Sequence, residues 1–252
     1  VPNNNFTKIL ITILMVAIFL GSSLTGLNHG VKWLSNLNIL LGAILLIFIL
    51  IFGDLKFILE SYTLAISDYL QHFIEYSLRV NPYSGDDSWI QQWTVFYWAW
   101  VISWSPFIGG FVARVSRGRT IREFVVGVLI IPPLISFTWI AGFGGTAIKL
   151  ALNHNDKLVH IVDKDYTVAL FELLSHFPLS EVTSSLAIVL IFIFIVTSAD
   201  STTHIVAGMA TGGSINPTLK HKVLRGLLIG AISVAMTIAG GLKSLQTASV
   251  IT

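Results

Sequence analysis

The chain has 252 residues, of which 54% are hydrophobic and 11% charged, with a formal net charge of +2 and no cysteine. Soluble domains carry roughly 25% charged residues, so this composition is that of a membrane protein and excludes an ordinary soluble domain. Without cysteine, a disulfide framework and a thiolate metal site are excluded as well.

Six uncharged apolar runs are near or above the roughly 17 to 25 residues with which a helix crosses hydrocarbon: 9–31, 33–53, 88–113, 124–148, 182–199 and 226–242. A transmembrane β-barrel would need short segments in strict alternation, and "ILLGAILLIFILIFG" at 39–53 does not alternate. The first run lacks a basic leader and is followed by a second run after the short connection "NHGVKWLSN", so it reads as a helix of the mature protein rather than a signal sequence.

Lys and Arg close to span ends favour the cytoplasmic side. The connection 114–123 carries Arg114, Arg117, Arg119 and Arg122 and is expected inside, together with 28–35 (Lys32) and 212–225 (Lys220, Lys222, Arg225). The acid-rich segments 54–87 and 149–181 then fall outside. Within the first of these, Phe57, Ile58, Tyr62, Leu64, Ile66, Leu70, Phe73, Ile74 and Leu78 recur at helical spacing among isolated charges. That pattern fits an amphipathic helix lying on the bilayer, or a helix packed within the loop. "NPYSGDD" at 81–87 breaks it.

The span that follows is rich in tryptophan. At 100° per residue Trp93, Tyr97, Trp100 and Trp104 share one face, while Trp98 points away. An interfacial aromatic belt accounts for Trp93. It accounts poorly for Trp104, which lies about 16 Å deeper along the helix. Rings at that depth suit a cation with no hydrogen to donate, such as a quaternary ammonium, through cation–π attraction; ordinary aromatic packing is the alternative. Pro106 and the pair Gly109–Gly110 mark a place where this helix is expected to bend or break, as helices near transport sites do; a simple packing kink is the alternative.

The run "IVTSADSTTH", 195–204, sets hydroxyls and one acid into an apolar span. The hydroxyls of Thr197 and Ser198 are hard oxygen donors of the kind a sodium ion takes, or they bond back to their own helix. Asp200 and His204, four apart, are a structural pair, a proton relay or the beginning of a metal site, and two ligands do not make a metal site. An intramembrane enzyme would need a nucleophile or metal motif; neither HExxH nor GxSxG occurs, so no catalytic residue is assigned. The basic residues sit in short connections at membrane ends rather than on a soluble face, so nucleic-acid binding has no support.

Together, "WTVFYWAWVISWSPFIGGFVARVSRGRTIREF" (93–124), "TSADS" (197–201) and "GVKWLSNLN" (30–38) resemble the signature of the betaine/choline/carnitine transporter family. The resemblance implies an all-α polytopic membrane protein, a fragment of the leucine-transporter fold with its two inverted five-helix repeats. Residues 1–53 would be two membrane helices from the end of the first repeat, 54–92 an extracellular linker with an amphipathic helix, and 93–252 most of the second repeat. By the same comparison, the opening helices would lie before Val1 and the last helix would be cut after Gln246.

The resemblance also implies secondary active uptake of a quaternary ammonium solute such as glycine betaine across the cell membrane, coupled to Na⁺ and serving osmoprotection, often by a homotrimer in the lipid bilayer. Trp100 and Trp104 match tryptophans that line the substrate pathway, and Trp98 matches a signature position. Val101 stands where the family usually has a tryptophan that helps to cage the trimethylammonium group, so the cage is one wall short. The hydroxyls of Thr197 and Ser198 and the carbonyl of Phe194 match the family's sodium ligands. No other cofactor is implied. Choline, carnitine or ectoine as the solute, sodium-independent exchange, and a channel or sensor role are the alternatives.

Overall fold

The computed structural model describes residues 4–25, 32–80, 88–153, 156–212 and 218–251. It is all-α, with no strand among the described residues. The helices are α1 (Asn5–Thr25), α2 (Lys32–Phe52), α3 (Leu55–Gln71), α4 (Phe73–Ser77), α5 (Ser88–Ile90), a π-turn at Gln91–Val95, α6 (Phe96–Val115), α7 (Ile121–Leu129), α8 (Ile131–Leu152), α9 (Asp156–Lys164), a 3-10 turn at Tyr166–Val168, α10 (Ala169–Ser175), α11 (Ser180–Met209), α12 (Leu219–Ala239) and α13 (Leu242–Ile251). Five stretches among the described residues are long and apolar enough to cross a membrane: Lys32–Phe52, Trp93–Ala113, Ile121–Leu152, Ser180–Met209 and Leu219–Ala239. The expected first span is represented by α1, whose apolar stretch Phe6–Gly21 is shorter than the others; the far end of that expected span, 26–31, lies outside the described residues.

The chain packs as two compact units, each discontinuous in sequence. One comprises Asn36–Ser77 and Gly118–Ile193, and the other Val1–Ser35, Leu78–Arg117 and Phe194–Thr252. This is a division by packing, distinct from a division by repeat, which follows chain order.

In the unit formed by Asn36–Ser77 and Gly118–Ile193, the core gathers Leu45 and Ile49 of α2, Phe143 of α8, Leu173 and Leu174 of α10, and Ala187 of α11. Asp54 caps α3 by accepting from the Phe57 amide at 3.0 Å and also takes a hydrogen bond from Lys149, whose ammonium lies 5.0 Å from the Phe57 ring centre. Further along, Ile58 lies against Gly145, and the Tyr69 and Phe137 rings meet edge-on at 5.7 Å. As residue numbers rise along α3 they fall along α8, so the two helices run antiparallel. The amphipathic segment is therefore packed along a membrane-length helix, and the charged Asp54–Lys149 pair closes one end of that contact.

The expected span 124–148 is divided into α7 and α8. The break at Ile130 precedes Pro132 and Pro133, which occupy the first turn of α8. Proline has no amide hydrogen, and its ring restricts the residue before it. At the start of a helix the missing amides fall among groups that have no intrahelical partner anyway. The start of α7 is closed by a capping box: Thr120 accepts from the Glu123 amide at 3.3 Å, and the Glu123 carboxylate accepts from the Thr120 amide at 2.9 Å.

In the other unit, α1 packs on α12, and α13 packs on both α12 and α6. The α1–α12 contact depends on Gly226 and Gly230, one turn apart on α12. A Cβ at Gly226 would lie 2.4 Å from Leu20 Cδ2, and one at Gly230 2.7 Å from Val16 Cγ2. Small residues at this spacing let two membrane helices approach backbone to backbone.

Two outcomes follow. Gly230→Ala drives a methyl group into the β-branched side chain of Val16 and forces α1 away from α12 at a cost on the order of 1–3 kcal/mol, lowering the thermal midpoint of the purified protein in detergent, whereas Gly21→Ala, with open space at its Cβ, leaves it unchanged or raised. The Asp54 carboxyl is held below the usual carboxylate range, first by the Lys149 hydrogen bond and then by the Phe57 amide. A depressed folded-state pKa contributes stability above the unfolded value of about 4 and loses it as pH falls through the folded value. Thermal stability of the wild type therefore drops below about pH 4 through this group, and Asp54→Asn removes that component of the acid sensitivity.

Candidate functional site

The geometry begins with the π-turn. Bonding from i to i+5 widens a turn relative to an α-helix, so residues four apart come closer to lying one above the other. Trp93, inside the π-turn, stacks on Tyr97 in α6 with ring centres 6.3 Å apart and planes 16° apart. Tyr97 meets Trp100 edge-on at 5.6 Å, and Trp100 stacks on Trp104 at 5.7 Å and 25°. Phe96 lies parallel to Trp100, 6.3 Å away at 4°. These separations lie in the range of favourable aromatic pairs, and together they make one continuous ladder of rings from Trp93 to Trp104. The stacked pairs cover part of each ring, while Trp100 remains 41% and Trp104 46% exposed.

Trp98 is exposed and belongs to none of the ring pairs of this ladder, and Val101 is exposed near it in sequence. The structure thus brings Trp100 and Trp104 together and leaves Trp98 apart. Phe96, which joins the ladder by stacking on Trp100, is an addition to the residues singled out by sequence; its i, i+4 spacing to Trp100 was the available signal.

No break falls at Pro106 or Gly109–Gly110: α6 runs from Phe96 to Val115 with Pro106 in its interior. A change of helix type does occur earlier, in the π-turn, where the sequence Gln91–Val95 contains neither glycine nor proline.

On α11, the Thr197 hydroxyl donates to the Phe194 carbonyl at 3.1 Å, which puts two of the three sequence-predicted sodium oxygens side by side. Ser198 is exposed on the adjacent position. A further turn along, Asp200, Thr203 and His204 are 1%, 0% and 4% exposed. The Thr203 methyl lies 3.4 Å from the Cβ position of Gly226, so this buried stripe faces α12. Among the described residues no three His, Asp or Glu side chains gather as a metal site.

Two apolar cavities flank α8, one of about 340 Å³ against Tyr62 and Tyr69 of α3 and one of about 430 Å³ against Leu158 and Leu173. Neither contains a residue of the ladder or of the Phe194–Ser198 group.

All 252 residues match the family model for betaine/carnitine/choline transporters, and the chain belongs to that family. It is 49% identical over its whole length to an ectoine/hydroxyectoine transporter of Virgibacillus pantothenticus, of which it covers 50%. It is 39% identical to the glycine betaine transporter OpuD of Bacillus subtilis, covering 49% of that protein, and 33% identical to an osmo-independent choline transporter of Acinetobacter baylyi, covering 48%. The chain thus spans about half the length of the curated relatives it matches. With five membrane-length helices and this family membership, it is part of a multi-pass membrane protein.

The ring ladder has a spectroscopic consequence. Stacked indoles couple their electronic transitions, so Trp104→Leu removes a coupled component from the ultraviolet circular dichroism spectrum. Trp98→Leu, outside the ladder, leaves that component in place.

Proposed function

We propose that the protein carries out secondary active uptake of a compatible solute with a quaternary ammonium head, such as glycine betaine, and that Na⁺ drives it. The observation that carries this reading is the ladder of rings on α6, with Trp100 and Trp104 stacked and both exposed. A trimethylammonium group offers no hydrogen to a hydrogen-bond acceptor and is held by the negative face of an aromatic ring, worth about 2 kcal/mol per desolvated contact. Trp100 and Trp104 bind the head group, and Val101 borders it with an aliphatic side chain where an indole would close the cage.

Sodium is held by the Phe194 carbonyl and the hydroxyls of Thr197 and Ser198. The 3.1 Å Thr197–Phe194 contact supports this, because two hard oxygens already share one side of α11. For coordination the Thr197 hydrogen turns away from the carbonyl, so that both oxygens offer lone pairs to the ion. Each elementary charge carried inward down 100 mV contributes about 2.3 kcal/mol, which drives accumulation of the solute.

A second reading, an ectoine-type solute, is favoured by Val101 together with the 49% identical relative named for ectoine and hydroxyectoine. Ectoine carries its positive charge on an amidinium unit within a six-membered, partly saturated ring, and that ring needs room beside Trp100 and Trp104 rather than a third wall.

Uptake of radiolabelled glycine betaine and ectoine, measured in cells expressing the protein at its natural full length, separates the two. Uptake of the preferred solute is expected to require sodium and to fall when potassium replaces it. Val101→Trp shifts preference toward glycine betaine by about tenfold or more, the size of one added cation–π contact. Thr197→Ala raises the sodium concentration for half-maximal uptake. Uptake indifferent to sodium ends the coupling assignment, and uptake of neither solute ends the assignment of solute class.

A further inference from the structure

The backbone bond that would close the helical turn around Trp104 is one Pro106 cannot make. In an α-helix the amide of residue i donates to the carbonyl of residue i−4, and proline has no amide hydrogen. The carbonyl of Ile102 therefore has no backbone donor at position 106. The residues enclosed by that missing bond are Ser103, Trp104 and Ser105.

Within hydrocarbon such a carbonyl needs another donor, and one is present: Ser105 Oγ donates to the Ile102 carbonyl at 3.1 Å. Ser103 also bonds backward, to the Ala99 carbonyl at 2.8 Å. The carbonyl that Ser103 reaches has an amide partner of its own at position 103, whereas Ser105 reaches the carbonyl that Pro106 deprived. Residues 100–106 are all exposed, so the Ser105 hydroxyl and the Ile102 carbonyl meet on an exposed stretch of α6. The turn nevertheless stays α-helical on through Val115.

We infer that Ser105 is a positioning residue for the aromatic ladder: its hydroxyl stands in for the amide that Pro106 lacks, closes the turn around Trp104, and keeps Trp104 stacked on Trp100. The inference rests on the reading above, in which Trp100 and Trp104 hold the solute. Ser105 itself touches a backbone carbonyl, and its effect on the solute is transmitted through the placement of Trp104.

The test compares Ser105→Ala, Ser105→Thr and the double variant Ser105→Ala/Pro106→Ala in the full-length protein. Ser105→Ala is expected to raise KM for uptake about fivefold, the size of one net hydrogen bond, with kcat unchanged. Ser105→Thr restores KM because its hydroxyl reaches the same carbonyl. The double variant restores it too, because an alanine at position 106 brings back the amide that the hydroxyl had replaced. A contact between the Ser105 hydroxyl and the solute predicts the opposite for the double variant, which would stay as impaired as Ser105→Ala.

A second readout needs no transport. Spin labels at Gln91→Cys and Ala113→Cys, both exposed, report the distance across the Pro106 turn in the purified full-length protein, with any cysteine outside these 252 residues replaced by serine. Ser105→Ala broadens that distance distribution, and the double variant narrows it again. Unchanged KM and distances in Ser105→Ala, or a double variant no better than the single, overturn the assignment. Failure of the wild type to take up either solute removes the transport reading, and the distance measurement then decides the role of Ser105 in the turn by itself.

Discussion

A carbonyl or amide that loses its partner in hydrocarbon has no water to replace it, and each such loss costs several kcal/mol. That constraint organises the helices of this protein down to individual hydroxyls. Thr138 bonds to the Leu134 carbonyl, Thr146 to Gly142, Thr197 to Phe194, Ser233 to Ile229 and Thr237 to Ser233, each reaching back three or four residues along its own helix. The prolines obey the same rule in two ways. Pro132 and Pro133 stand at the beginning of α8, where missing amides cost little. Pro106 stands inside α6, where the Ser105 hydroxyl supplies the donor.

Once backbones are satisfied within each helix, what remains between helices is shape and a few charges. The close approach of α1 to α12 depends on the absence of side chains at Gly226 and Gly230. The α3–α8 contact combines a glycine floor at Gly145, an aromatic edge at Phe137 and an ion pair at one end. On α6 the rings pack along their own helix, and Trp100 and Trp104 stay exposed. The ladder and the interhelical contacts are thus two uses of one inventory of large and small apolar residues.

Much of this was legible in the sequence. Apolar run length identifies the membrane-length helices because the bilayer has a fixed thickness, and 100° spacing places Tyr97, Trp100 and Trp104 on one face because α6 is regular there. Other features escape that kind of reading. The span 124–148 looks continuous although Pro132–Pro133 marks the break, because hydropathy averages over proline. The glycine pair in "GLLIG" at 226–230 carries the small-residue spacing, but its partner helix lies some two hundred residues away in the chain, beyond any local pattern. The π-turn left no such mark, since Gln91–Val95 contains neither glycine nor proline, and its geometry follows from how the turn is bonded rather than from which residues it contains. The amphipathic pattern of 54–77 showed an apolar face without saying that the face meets α8.

The π-turn also bears on how this region tolerates change over evolutionary time. A π-turn amounts to one extra residue accommodated inside a helix. Deleting one residue between Gln91 and Val95 would let the segment relax to ordinary α geometry with the helix on either side keeping its face, because the wide turn had absorbed the extra residue. The rungs from Tyr97 to Trp104 would keep their places, since they lie on the far side of the turn. Chain length before the ladder is thereby uncoupled from the ladder's own register, so one residue can be lost there without turning the aromatic face.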